Sequence, residues 1–344
     1  MNYSIALLPN RMFGLRYAHE IRLFFYGYVY LPILLVGTMG SLVIVVVFIK
    51  HKRWNKPGVI YMFCLAITDG MYSLLSGIFT WLNRGLASLT DGRYSVNIFG
   101  SSQLSCKLLI LVVFWCMGAS AFITIAMTLE RFCAIQFPMH MLRVTRRMRI
   151  ILLSSAAVLF ALLEVRQLFF FEVAAEEVTR KFMCTESRAI DPDIMFSFRF
   201  LLMLIGYYVI PSVLLLVINA LICWALFRAY RTTTNDRTSL GSGGKRHEKG
   251  ISITLMAVAS IFVLCNPMVS GLFYGYNVDK NPHLLSRQDR SHLVDLYWVA
   301  SGISYINNAT SLPLYVIRLS YFRVHLSEIF CRLCLLKRNR SDSH

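Results

Sequence analysis

Seven apolar stretches, at about 24–49, 59–82, 106–131, 150–171, 196–227, 251–276 and 293–317, dominate this chain of 344 residues. Each exceeds the ~20 residues that an α-helix needs to cross a ~30 Å hydrocarbon layer. A helix also satisfies its own backbone hydrogen bonds, which lipid cannot do for it. The balance of the chain agrees: 56% of its residues are hydrophobic and 15% charged, whereas a soluble domain carries about a quarter charged residues. The fold expected is all-α, a seven-transmembrane helix bundle with a short amphipathic C-terminal helix.

Three regions follow: an N-terminal segment over 1–23, a seven-span domain over 24–317 and a tail over 318–344. An odd number of spans places the two ends on opposite sides. Lys50, Lys52, Arg53 and Lys56 follow the first span, and Arg143, Arg146, Arg147 and Arg149 follow the third. Basic loops face the cytoplasm, so the amino end is expected outside. Residues 1–23 show no apolar core with a small-residue cleavage site, and the first helix would serve as the membrane signal. Asn2 opens an Asn-Tyr-Ser glycosylation sequon on that outer side. Net charge is +17; its placement in loops suits an anionic inner leaflet, and no nucleic-acid module is recognisable. In the tail, Leu319, Phe322, Leu326, Ile329, Phe330 and Leu333 recur at helical spacing with Arg318, Arg323, His325 and Arg332 between them. Such a helix lies in the interface. Cys331 and Cys334 beside it are candidates for palmitoylation, with unmodified thiols the other reading.

The third span is the most specific. It is uncharged from Leu108 to Leu129 and then presents Glu130 and Arg131. A charge at mid-bilayer costs about 2.5–3.5 kcal/mol on insertion scales, so this pair marks a membrane face. Cys106 lies 25 residues before Arg131, and Phe132, Ala134, Ile135 and Pro138 follow. The stretch resembles the third helix of rhodopsin-like (class A) G-protein-coupled receptors. The resemblance implies a disulfide from Cys106 to the second outer loop, where Cys184 lies. It also implies that Glu130, Arg131, Phe132 and Pro138 form a switch guarding a cleft for a heterotrimeric G protein. The bland alternative for Arg131 is a salt bridge to Glu130 that merely ends a helix. Glu248, at the foot of the sixth span, is a further candidate partner for Arg131.

Asp69 stands alone in the middle of the second span, where a carboxylate must face the bundle interior with a polar partner. Its Leu-Ala-x-x-Asp setting is similar to the family's, which implies a sodium ion held with Ser120 and Asn308. Sodium takes oxygen ligands, and this trio supplies them. A hydrogen-bonded Asp69 without an ion is the alternative. No other cofactor is implied. Pro211, Pro267 and Pro313 fit the family's kink positions. Departures are several: Ser41 stands where the first helix of the family carries asparagine, the fourth span lacks tryptophan, Asn219 replaces a tyrosine, Cys265 stands at the tryptophan toggle, and Leu312-Pro313-Leu314-Tyr315 is a degenerate Asn-Pro-x-x-Tyr.

The ligand is narrowed by exclusion. Val113 occupies the position of the aminergic aspartate, and no lysine lies between Lys280 and Lys337 to form an opsin's Schiff base. Arg84, Glu164, Arg166, Gln167, Glu172, Glu176, Glu177, Arg199, Asp295 and Tyr276 remain as outer polar groups. Glu164 and Arg166 read equally as a charged cavity rim or as solvated helix ends. A mixed-sign aromatic rim suits a peptide, and Cys265-Asn266-Pro267 resembles the signature of invertebrate FMRFamide-type neuropeptide receptors. The expectation is a plasma-membrane receptor for an extracellular peptide or small-molecule ligand. The rivals are a diverged chemosensory receptor and a transporter or channel, the latter disfavoured by the absence of internal repeats. No catalytic constellation gathers on one face, so an enzyme is not expected.

Overall fold

The computed structural model describes residues 23–51, 58–90, 93–141, 143–175, 182–187, 189, 205–235, 260–265, 300, 302–313, 316 and 322–328. Among these, five helices are long and apolar enough to cross a membrane: Leu23–Lys50, Val59–Leu89, Gln103–Gln136, Arg146–Phe170 and Ile205–Ala225. Parts of the sixth and seventh spans, 260–265 and 302–313, are also helical. Asn2, Glu248, Pro267, Cys331 and Cys334 lie outside the described residues.

The distribution of polarity is that of a protein in lipid. Val36, Met39 and Leu42 on the first helix, Leu159 and Leu162 on the fourth, and Val213 and Leu216 on the fifth point outward. Asp69, Ser120, Thr124, Thr128 and Asn308 point inward and are buried. Apolar patches of this extent are not left to water, and each helix has already satisfied its own backbone.

The third helix is the axis. It runs for 34 residues and packs against the second, fourth and fifth. Small buried residues, Ala119, Ser120 and Ala121 among them, let its neighbours approach closely. Its ends are set by polar chemistry that hydropathy does not register. Ser102 caps the start by accepting from the Ser105 N–H, and Phe137 leaves helical geometry ahead of Pro138, as a residue before proline tends to do. The helix therefore passes through Glu130 and Arg131 to Gln136, so this pair does not end it. Thr145 caps the fourth helix in the same manner.

The second helix begins at Gly58, whose φ of 84° lies in the left-handed region. After Tyr72 it widens into π turns at Ser73–Ile78 and Trp81–Gly85. Gly77 sits in the first of these, where the Leu34 side chain leaves no room for a β-carbon. This helix runs to Leu89, well past the apolar stretch that ends near 82, and carries Asn83 and Arg84 with it.

Among the described residues, a two-stranded antiparallel hairpin, β1 (Phe171–Ala175) and β2 (Phe182–Glu186), interrupts the helical architecture. Cys184 stands opposite Val173 and is bonded to Cys106, with 5.4 Å between their Cα atoms. The Val173 N–H donates to Gln103 Oε1 at 2.7 Å and Asn97 Nδ2 donates to the Phe182 carbonyl at 2.9 Å. The hairpin is thus pinned across one end of the bundle. At the opposite end, residues 322–328 of the tail are helical. Phe322 is fully buried, with its ring 6.2 Å from that of Phe48, and Leu326 packs on the same cluster, while Arg323 and Glu328 remain exposed.

Candidate functional site

Three layers of polar chemistry are stacked along the third helix. The outermost is a cavity of about 260 Å³ beneath the hairpin. Met183 and Cys184 form part of its roof, and Ile110, Val113, Phe114 and Met117 of the third helix form an apolar wall. Tyr72, Ser76, Thr80, Asn83 and Arg84 of the second helix line the facing wall. Residues four apart return to nearly the same helix face, and the π turns keep that face on the cavity for three successive turns. At the floor, Tyr305 shares a hydrogen bond of 2.6 Å with Ser76 and stacks on Tyr72 at 5.2 Å between ring centroids.

The second layer is a polar pocket of about 40 Å³ directly below. Tyr72, Met117, Tyr208 and Ser304 line both spaces, so they form the partition between them. Asp69 is 3% exposed and accepts from Ser120 Oγ at 2.6 Å, the length of a charge-assisted bond. Asn308 shares this layer but turns its amide to Ser73 Oγ at 3.0 Å and the Asp69 backbone carbonyl at 3.4 Å. The adjacent Asn307 lines the pocket, and its Oδ1 is buried without a hydrogen-bond partner. A buried acceptor left this way is costly unless an ion or water meets it.

The third layer lies at the Arg131 end. Glu130 pairs with Arg149 of the fourth helix, Nε to Oε2 at 2.9 Å, with both side chains buried. Arg131 lies on another side, its guanidinium against the α-carbon of Gly58 where a β-carbon would stand. Pro138 opens a single exposed helical turn through Met141, and Phe132 is half-buried. Pro211 falls in the first turn of the helix Ile210–Asn235, just after a π-helical stretch at 205–209. Pro313 closes the described run of the seventh helix.

This order of apolar spans, disulfide-held hairpin and polar axis is matched by a family model. The model for the rhodopsin family of 7 transmembrane receptors aligns with residues 40–309. The chain belongs to the rhodopsin family of seven-transmembrane receptors. The receptor also resembles a Caenorhabditis elegans protein described as a probable G-protein coupled receptor, with 28% identity over 116 residues. That match covers 33% of the receptor and 26% of the relative, so it spans about a quarter of the relative's length. The family is one of receptors rather than enzymes, and its members cross the membrane several times.

Some polar groups of the receptor fall elsewhere than the cavity. Glu164 is neither a solvated helix end nor a cavity lining. It is fully buried, held by Gln167 Nε2 at 2.8 Å, Arg166 at 3.1 Å and the Tyr207 hydroxyl. This cluster ties the fourth helix to the fifth. Glu172 lies on β1, and Glu176, Glu177, Arg199, Tyr276 and Asp295 lie outside the described residues. Arg149, Asn307, Tyr72 and Tyr305 are among the members of the polar layers that sequence reasoning does not single out. Tyr72 carries a signal, three residues beyond Asp69 on the same helix face; Arg149 is hidden among the basic residues that read as loop charge.

Proposed function

We propose that the receptor sits in the plasma membrane with its amino end outside, binds an extracellular neuropeptide in the cavity under the hairpin, and activates a heterotrimeric G protein through movement of helices around Arg131. The observation that carries this reading is the shared partition of Tyr72, Met117, Tyr208 and Ser304, which joins the cavity under the hairpin to the polar pocket above the Arg131 end. A ligand that favours one arrangement of this partition biases a two-state equilibrium, and the bias reaches the other face through the third helix. The cavity falls just below the ~300–1,000 Å³ of pockets that enclose a drug-sized molecule. It admits the end of a peptide, with the remainder lying against the hairpin.

The residues of the polar pocket fit a sodium ion. Asp69, Ser120 and Asn307 present oxygen atoms, one of them an orphaned buried acceptor, as a hard cation requires. Asn308 would position the Asp69 backbone. A bound ion would supply positive charge opposite Asp69 and favour the arrangement that holds it.

The small cavity volume also favours a second reading, a chemosensory receptor for small molecules. Cells displaying the receptor, challenged with neuropeptide pools and with panels of volatile and small polar molecules, separate the two. Peptide-evoked G-protein activation is expected; responses confined to volatile molecules would refute the peptide reading.

A further inference from the structure

We infer that a crevice between the second, third and fourth helices is a binding site for a neutral, benzene-sized aromatic molecule that reaches it through the bilayer. The crevice measures about 150 Å³ and shares no lining residue with the cavity under the hairpin or with the polar pocket. It is a second site, independent of the ligand and coupling proposed above.

Side-chain size creates it. On the third helix Trp115, Ala119 and Phe122 fall on one face, and on the fourth Ala156 and Ala157 lie one turn before Phe160. The three rings hold the helices apart over alanines too short to meet, and the fourth span has no tryptophan to fill the gap. The Trp115 Nε1–H donates to the Ala157 carbonyl at 2.9 Å, and the Phe122 and Phe160 ring centroids are 6.0 Å apart. Ala119 and Ala156 are buried, whereas Trp115, Phe122 and Phe160 are half-buried, so the space has a closed inner wall and an aromatic mouth. All of these residues belong to membrane spans, and the mouth therefore meets hydrocarbon.

The lining chemistry selects the occupant. No charged residue lines the crevice. The Thr68 hydroxyl is engaged by the Cys64 and Leu65 carbonyls at 3.2 and 3.0 Å, and the Trp115 N–H is engaged by Ala157. A water needs about two to four polar partners, more than these engaged groups offer, and apolar cavities of about 150 Å³ stay dry and take up benzene. The competitor is a lipid chain. To turn into the crevice it must freeze several rotatable bonds, whereas a rigid ring freezes none. Edge and face contacts with three aromatic side chains, and with the Cys64 sulfur beside them, favour the ring further. The site also backs onto the polar axis: Thr68 and Ala119 line it, while the next residues, Asp69 and Ser120, meet at 2.6 Å on the other side. A ring seated there fixes the spacing of the second and third helices.

The test uses the full chain in phosphatidylcholine nanodiscs, photolabelled with phenyl(trifluoromethyl)diazirine over a range of concentrations, with and without toluene. Adducts are mapped by mass spectrometry. Labelling of Cys64, Trp115, Phe122 and Phe160 is expected to saturate, and to fall about tenfold with toluene at about ten times its half-saturating level. The exposed Leu159 and Val213 should label in proportion to the probe and ignore toluene. Ala157→Leu fills the crevice, keeps the carbonyl that holds Trp115, and should remove the saturable labelling. Leu159→Phe, on the lipid face of the same helix, should retain it. The unfolding midpoint of each variant without probe reports folding, and saturation with competition in the wild type is a test in its own right.

Linear, uncompeted labelling of the crevice residues, or saturable labelling of equal strength in folded Ala157→Leu, would overturn the inference. Saturable labelling that toluene leaves unchanged, but that added sterol or a longer lipid chain suppresses, would assign the crevice to lipid and overturn it equally.

Discussion

Replacing Arg149 by methionine isolates the ion pair that fixes the Arg131 end. Arg149 and Glu130 are 6% and 8% exposed, and their charged atoms are 2.9 Å apart. Two unit charges about 4 Å apart attract by about 4 kcal/mol at an effective dielectric constant of ~20. Desolvation offsets much of that gain, so the intact pair contributes little net stability. Its broken form is another matter. Arg149→Met leaves the Glu130 carboxylate buried beside a thioether, which costs about 3–5 kcal/mol. At about 2–4 °C per kcal/mol, the apparent unfolding midpoint in nanodiscs should fall on the order of 10 °C. Glu130→Gln with Arg149→Met removes both charges and should recover all but about 1–2 kcal/mol. The assay is a double-mutant cycle on thermal unfolding. A single mutant as stable as the double, or a coupling energy near zero, would refute the claim that Arg149 is the partner that holds Glu130.

Three other outcomes follow from the geometry. Cys106→Ser, which opens a loop closed by cysteines 78 positions apart, should cost about 2–4 kcal/mol, and the freed Cys184 thiol should become accessible to a maleimide probe. Gly58→Ala should cost about 1–2 kcal/mol for an L-residue at a left-handed backbone position and displace the Arg131 guanidinium, read as a lower unfolding midpoint and altered basal exchange; an unchanged protein would mean that Arg131 does not rest there. Sodium chloride should raise the unfolding midpoint of the wild type above that in choline chloride, by about 1.4 kcal/mol at tenfold excess over Kd. Asp69→Asn and Asn307→Ala should each diminish that difference, whereas an equal response in all three would leave Asp69 hydrogen-bonded without an ion.

The bundle was legible because lipid imposes one rule on every span, and long uncharged runs such as Leu108–Leu129 state it without ambiguity. Asp69 and Ser120 were legible for the converse reason: a polar group in such a run must find a partner, and these two meet at 2.6 Å. Helix ends were not, since Ser102 and Thr145 set them through capping bonds that add nothing to hydropathy. The hairpin is not legible in the sequence, because its two five-residue strands are too short to carry a periodic signal and owe their pairing to the bond at Cys184 and the anchor at Gln103. Arg149 reads as loop charge until the fourth helix turns it inward onto Glu130. Glu164, equally, reveals its role only when Tyr207 arrives from another helix.

Guanine-nucleotide exchange on a mixed G-protein panel, with purified wild-type receptor and Arg131→Ala side by side in nanodiscs, tests the central claim most directly. Ligand-stimulated exchange by the wild type that falls at least tenfold in Arg131→Ala, with ligand binding retained, is the predicted result. Stimulated exchange of equal rate in both proteins would contradict it.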